Sequence, residues 1–186
     1  MTASPEERLA GLGLTLPAVA TPVAAYVPAV RTGPYVYTAG QLPLADGKLL
    51  ATGKVGGAVS AEDAAGLARA CALNALAAAA AVAGGLSAIT RIVKVTGFVA
   101  SEPGFTGQAQ VVNGASELFT EVFGQAGQHA RSAVGVAVLP MDAPVEVELI
   151  AEIASAPAGS GPAGAAPAGV GQGGSGPGGP GPGGAA

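Results

Sequence analysis

The residues best suited to chemistry in this sequence are one arginine and a group of carboxylates in its second half. Arg131 lies in the stretch GQHARSAVGVAVLP, and Glu146, Glu148 and Glu152 follow in VEVELIAEI. A guanidinium presents a planar fork of donors that matches a carboxylate, and a carboxylate within reach of water can act as a general base. This pattern predicts either a site for a small anion or salt bridges between Arg131 and one of the glutamates.

Both groups belong to segments with the two-residue period of β-strands. In the first segment valines alternate with a face that holds Arg131 and small residues, and in the second aliphatic residues alternate with the three glutamates. We expect the valine face to be the core face, formed by Val134, Val136 and Val138. The small-residue face is then open to a neighbouring subunit or a small anionic ligand.

The distance between Arg131 and Glu146 depends on how these strands pair. In a simple hairpin centred between Met141 and Asp142, Arg131 lies opposite Glu152 and on the order of 20 Å from Glu146. The two side chains then cannot hold one small substrate within one subunit. Either the strands pair in another way, or the site is completed across a subunit interface.

The rest of the pattern predicts an α+β domain with helices on one face of a mixed sheet. Residues 22–41 read as a hairpin with a Gly-Pro turn, and residues 92–100 as a further strand. Ser60 caps a long helix that ends near Ala83, and a second helix spans residues 108–123. We divide the chain into an N-terminal extension with a short helix (1–17), a domain (18–155) and a disordered Gly/Pro/Ala-rich tail (156–186).

Composition excludes several classes of function. The net charge is −4 with 8 scattered basic residues, so neither nucleic acid nor a membrane surface is an expected partner. One histidine and one cysteine cannot form a Cys-His metal cluster, and no P-loop occurs. The lone Cys71 and the charged start of the sequence favour a cytoplasmic protein.

Several other side chains have a structural interpretation. Asn74, in the long helix, is expected to hydrogen-bond a neighbouring loop, because buried amides need partners. Tyr35 and Tyr37 are expected to pack in the core or at an interface. His129 precedes the Arg131 strand with no nucleophile nearby in sequence, so a role as general base is disfavoured.

Six stretches together resemble the RidA family, also called YjgF-like and labelled endoribonuclease L-PSP. The resemblance covers roughly residues 18–154, and RSxVxVxxLP followed by VEVE is its most specific part. The stretches are AYVPAV at 25–30, AGQLP at 39–43, GKVG at 53–56, VVNGASELF at 111–119, HARSAVGVAVLP at 129–140 and VEVELIAEI at 145–153.

The resemblance implies a chorismate-mutase-like fold, a homotrimer with ligand clefts between subunits, and a cofactor-independent imine or enamine deaminase. Such an enzyme hydrolyses products such as 2-aminoacrylate to a 2-keto acid and ammonia. By position, Arg131 matches the arginine that binds the substrate carboxylate, and Glu146 the glutamate that activates water. The matching cleft-lining positions are Tyr26, Gly40, Asn113 and Ala133.

Two departures from the family pattern bear on the activity. Ala39 replaces the serine of SGQ, and Ala133 stands where the family often has Cys or Thr, although its backbone carbonyl can still contact water. A non-catalytic module that binds small carboxylates is therefore the alternative to a deaminase. Ribonuclease activity is suggested only by the older family label, because the sequence lacks a basic groove.

Overall fold

The computed structural model describes residues 3–19 and 25–154, which form three helices and two sheets. The elements, in order, are α1 (Pro5–Gly11), β1 (Ala29–Thr32), β2 (Tyr35–Thr38), β3 (Leu44–Ala45), β4 (Lys48–Leu49), α2 (Ala61–Ala83), β5 (Ile89–Ala100), α3 (Gln108–Phe123), β6 (Ala130–Val136) and β7 (Val145–Ile153). This confirms the predicted α+β class. The predicted tail lies outside the described residues, and the boundary near residue 17 stays a prediction.

The main sheet has the strand order β1-β2-β7-β5-β6, with β5 and β6 parallel and the other neighbours antiparallel. The predicted hairpin at residues 22–41 is confirmed by β1 and β2. The simple hairpin considered for the Arg131 and Glu146 segments does not form, because β5 lies between β6 and β7. The strands that carry Arg131 and Glu146 therefore pair in another way than the simple hairpin.

The predicted core face of β6 was wrong. Val134 is 43% exposed and Val138 70% exposed, whereas Ala133 packs against the core. The register aligns Arg131 with Val95 and Ala133 with Gly97, so the small-residue face of β6 points to the helix side. Small side chains there let α3 approach closely, since a Cβ on Gly97 would overlap the side chain of Val112.

The helices begin and end where the sequence predicts. Ser60 caps α2 by accepting a hydrogen bond from the Asp63 amide at 3.0 Å, and α2 ends at Gly84, which has a φ of 93°. α2 and α3 pack against each other and against the sheet, and α1 adds a third helix that contacts α3. Glu6 anchors α1 by accepting hydrogen bonds from the amide and hydroxyl of Ser87.

The alanine-rich α2 is a core helix. By length and composition alone it could cross a membrane, but half of its most apolar stretch is buried inside the protein. Asn74 on this helix donates to the carbonyl oxygens of Leu42 (2.9 Å) and Leu44 (3.1 Å), which confirms its predicted role of tying a loop to the helix.

Candidate functional site

Arg131 extends from β6 to α3, which holds its guanidinium in place. Nη1 donates to Asn113 Oδ1 at 2.8 Å and to Ser116 Oγ at 3.0 Å, and Nη2 donates to the carbonyl oxygen of Ala109 at 3.1 Å. Asn113 and Ser116 share a helix face because they are three residues apart. The structure therefore brings together two residues predicted from the family motif, Arg131 and Asn113.

The guanidinium keeps donors for a ligand after these contacts. A guanidinium has five N–H groups, and the three bonds use both protons of Nη1 and one of Nη2. Nε–H and one Nη2–H make no hydrogen bond to the described residues, and guanidinium N–H groups can bind a carboxylate. The contacts with α3 thus hold the Arg131 guanidinium in place and leave some of its donors without a partner in the described residues.

Glu146 lies on the opposite, open face of the sheet beside Gly40. A Cβ on Gly40 would overlap the Glu146 carboxylate, so glycine is required for this contact. The bridge between Gln41 and Val147 holds the two segments together. Burial raises the pKa of the half-buried Glu146, and the nearby Glu148 raises this pKa further. A carboxylate whose pKa is raised is a stronger base than an ordinary carboxylate.

Within one subunit, Arg131 and Glu146 lie far apart. Arg131 aligns with Val95 and Glu146 with Phe98, and these two β5 residues point to opposite faces of the sheet. Three residues along β5 span about 10 Å, and two strand spacings add about 10 Å sideways. Among the described residues, the one salt bridge joins Arg69 to Glu121, so Arg131 makes no ion pair with the three glutamates within this chain.

The other predicted positions differ in their surroundings. Tyr26 is 51% exposed and precedes β1, next to undescribed residues, and Ala133 is half-buried beneath α3. Tyr35 and Tyr37 are 37% and 40% exposed on the open face, so they are not core residues within one subunit. Their predicted role at an interface stays a prediction.

Sequence reasoning missed a contact between His129 and Ser116. His129 Nε2 lies 3.0 Å from Ser116 Oγ, and Nδ1 lies 2.6 Å from the Gly127 carbonyl oxygen. Burial and the nearby Arg131 lower the pKa of His129, although the bond to Gly127 acts in the opposite direction. The spacing in the sequence could have indicated this contact. His129 lies two residues before Arg131 on the same side of the strand, and Ser116 lies one helical turn after Asn113.

The remaining reactive groups do not form a metal site. Within residues 3–19 and 25–154, no three His, Cys, Asp or Glu side chains lie close enough to share a metal ion. Cys71 is fully buried, its Sγ lies 3.6 Å from the Val145 carbonyl oxygen, and burial raises the pKa of its thiol. A buried neutral thiol is a poor nucleophile.

Comparisons with known proteins agree with this fold. Residues 6–153 match the family model described as "YjgF/chorismate_mutase-like, putative endoribonuclease". The chain is similar to Protein TCP17 of Trypanosoma cruzi, with 44% identity over 143 residues that cover 76% of this chain and 89% of that protein.

Two solved structures extend the comparison. Atu1372 of Agrobacterium tumefaciens, of unknown function, is 48% identical with a TM-score of 0.75, over 81% of this chain and 92% of that chain. E. coli TdcF, solved with bound serine, is 30% identical with a TM-score of 0.56, over 75% of this chain and 96% of that chain. The predicted family is confirmed: the chain belongs to the YjgF/chorismate-mutase-like family.

Proposed function

We propose that this protein is an imine or enamine deaminase that hydrolyses small 2-imino acids, such as the product formed from 2-aminoacrylate, to 2-keto acids and ammonia. The observation that carries the proposal is the preorganised Arg131, which three α3 groups hold while two of its N–H donors remain for a carboxylate. A substrate with a carboxylate next to its reactive carbon fits this donor pair. The serine bound to the related TdcF is a small carboxylate of this kind.

In the proposed reaction Glu146 is the general base and acid. Water adds to the imine carbon while Glu146 takes one water proton and passes it to the imine nitrogen. Glu146 then takes the hydroxyl proton of the carbinolamine and gives it to the departing nitrogen, so the C–N bond breaks, ammonia leaves and the hydroxyl oxygen becomes the keto oxygen. The raised pKa of Glu146 supports this role, because it makes the carboxylate a stronger base than an ordinary glutamate. An enamine enters the same sequence after it tautomerises to the imine.

The proposal requires assembly, because Arg131 and Glu146 point to opposite faces of the sheet within one subunit. We propose a homotrimer in which Arg131 of one subunit and Glu146 of the next flank one cleft. The open face of the sheet carries exposed apolar side chains that a neighbour would cover, and β6 lies at the edge of the described sheet. The exposed apolar residues on this face include Val30, Tyr37 and Val134.

The test is to generate 2-aminoacrylate in situ and to measure its decay with and without the protein. Wild type should accelerate decay. Arg131→Ala should lower kcat/KM by about 100-fold or more, because two charge-assisted hydrogen bonds are lost. Arg131→Lys is the matched control: it keeps the charge but loses the bidentate fork, so we expect an intermediate loss. The proposal that the protein is an enzyme would be contradicted if wild type did not accelerate decay, or if Arg131→Ala accelerated it equally.

The alternative, a non-catalytic carboxylate-binding module, is motivated by Ala39 and Ala133. It predicts that a 2-keto acid raises the Tm of wild type but not of Arg131→Ala, while turnover is absent. RNA cleavage is not proposed, because a chain with 8 basic residues and a net charge of −4 offers little for phosphate binding.

A further inference from the structure

Ser116 and His129 form a hydrogen-bonded pair whose donor and acceptor roles are fixed by their neighbours. His129 Nδ1 lies 2.6 Å from the Gly127 carbonyl oxygen, which only accepts, so Nδ1 carries the proton. In the neutral ring Nε2 is then an acceptor, and the Ser116 hydroxyl, 3.0 Å away, must donate to it. The Phe119 ring, with its centroid 5.7 Å from that of the imidazole and its plane at 84° to it, forms a T-shaped contact that helps to fix the orientation of His129.

Arg131 completes the arrangement from the other side. Its Nη1 donates to Ser116 Oγ at 3.0 Å, so the oxygen that gives its proton to histidine also faces a positive charge. A hydroxyl bonded to a base, with the base oriented by a third group, is the signature of an activated nucleophile. The cation favours the negative charge that develops on Oγ as the proton leaves.

The side of α3 that carries Ser116 borders a surface groove. Ser116 is half-buried and lines an open surface groove of about 430 Å³. Asn113 uses Oδ1 to accept from Arg131, so that contact leaves its two Nδ2–H donors unused. Asn113 lies one helical turn from Ser116 on the same face of α3, so in the proposed reaction these N–H groups would stabilise the developing oxyanion. The groove is lined by Asn113, Ser116, Glu117, Thr120 and Glu121.

We propose that Ser116 is a nucleophile, with His129 as its general base, that accepts acyl groups from small activated esters bound in this groove. Ser116 Oγ attacks the ester carbonyl carbon while His129 Nε2 takes the hydroxyl proton. The tetrahedral intermediate collapses, the ester C–O bond breaks, and the leaving alcohol receives the proton from His129. Water then attacks the acyl-Ser116 ester by the same steps in reverse, which releases the acid and restores the serine.

Charge limits the class of ester. Glu117 and Glu121 line the groove, and within the part of the chain that the structure describes Glu121 pairs with Arg69 at 2.5 Å whereas Glu117 has no ion-pair partner. A leaving group with a negative charge would be repelled, so neutral or cationic esters are preferred. This site shares Arg131 with the proposed imine hydrolysis, but it uses neither Glu146 nor the open face of the sheet, and its substrate is an ester.

The experiment is acetylation by p-nitrophenyl acetate, a small neutral ester, followed by acid quench and peptide mapping by mass spectrometry. We expect an acetyl group on Ser116 and an initial burst of p-nitrophenolate. Ser116→Ala should abolish this adduct. His129→Gln keeps an acceptor for the hydroxyl but cannot take its proton, so acetylation of Ser116 should slow by about 100-fold. The Tm of each variant shows whether it remains folded.

Thr90→Ala is the matched control, because it also removes an exposed hydroxyl that bonds a backbone carbonyl oxygen, that of Glu152, but Thr90 lies outside this groove. This variant should acetylate as wild type does. Acetylation of other residues but not of Ser116, or an unchanged rate in His129→Gln, would overturn the proposal. The assay contains no imino acid, so its outcome does not depend on whether the protein is a deaminase.

Discussion

At the residue scale, a substitution at the contact between Gly40 and Glu146 should change the activity without changing the stability. A Cβ on Gly40 would overlap the Glu146 carboxylate, which lies at the end of a flexible side chain and can swing away. Gly40→Ala should therefore leave Tm close to wild type but lower the rate of imine hydrolysis at least about tenfold, since the base is displaced. Gly104→Ala is the control, because nothing lies within 4 Å of its Cβ position and neither quantity should change.

The Glu146 carboxyl should also make the protein less stable as pH rises. Burial, followed by the nearby Glu148, raises its pKa, so the folded protein binds this proton more tightly than the unfolded chain does. The carboxyl then lowers the free energy of unfolding as pH rises from the unfolded pKa, about 4.3, through the folded value. The Glu146→Gln variant has no carboxyl at this position, so its free energy of unfolding should not fall for this reason as pH rises.

Thermal unfolding of wild type and Glu146→Gln across that pH range measures the effect. The Tm of the variant relative to wild type should rise from acidic to neutral pH. A difference in Tm that is constant with pH would show that the folded environment does not disfavour the carboxylate.

At the scale of elements, the sequence predicts helices better than the faces of strands. Ser60 and the glycines after α2 and α3 marked the helix ends, because caps and breakers are local signals. Alternation in β6 showed two faces but not which one the helices cover. α3 packs on the small-residue face, where Gly97 and Ala133 allow close approach, and this leaves Val134 for the open side.

The same long-range packing explains which parts of the site were predictable. The motif predicted Arg131, Asn113, Glu146 and Gly40, and the structure pairs them as Arg131 with Asn113 and Glu146 with Gly40. The contact of Ser116 with His129 was not predicted, because it exists only once β6 lies parallel to β5 beneath α3. Local sequence carries no information about that placement.

The close packing of α2 against α3 gives a prediction about stability. A Cβ on Gly114 would overlap the backbone carbonyl oxygen of Ala65, and a helix backbone cannot move aside cheaply. Gly114→Ala should therefore lower the free energy of unfolding by about 1–3 kcal/mol, despite the better helix propensity of alanine. Gly66, also within α2, has nothing within 4 Å of its Cβ position, so Gly66→Ala should raise stability by up to about 1 kcal/mol.

Denaturant unfolding of both variants provides the comparison, with the slope against denaturant as a check on two-state behaviour. Equal and small effects at the two positions would mean that the two helices are further apart than described.

At the scale of the whole molecule, a site shared between subunits makes inactive variants complement each other. Arg131→Ala and Glu146→Gln should each be nearly inactive as pure proteins. When they are unfolded and refolded together in equal amounts, some clefts combine an intact Arg131 from one subunit with an intact Glu146 from its neighbour. With random mixing of subunits each requirement is met half of the time, so about a quarter of the clefts should be restored in a closed ring.

Complementation distinguishes a shared site from two sites that act within one subunit. If Arg131 and Glu146 of the same chain served one cleft, no mixture of the two variants would contain an intact site, and activity would stay at the level of the pure variants. Refolding Arg131→Ala with the Arg131→Ala/Glu146→Gln double variant controls for stabilisation by mixing, because no cleft in that mixture has an arginine. Recovery in the first mixture alone, with a trimer in sedimentation, is the expected result. It follows from β5 placing the two residues on opposite faces of the sheet.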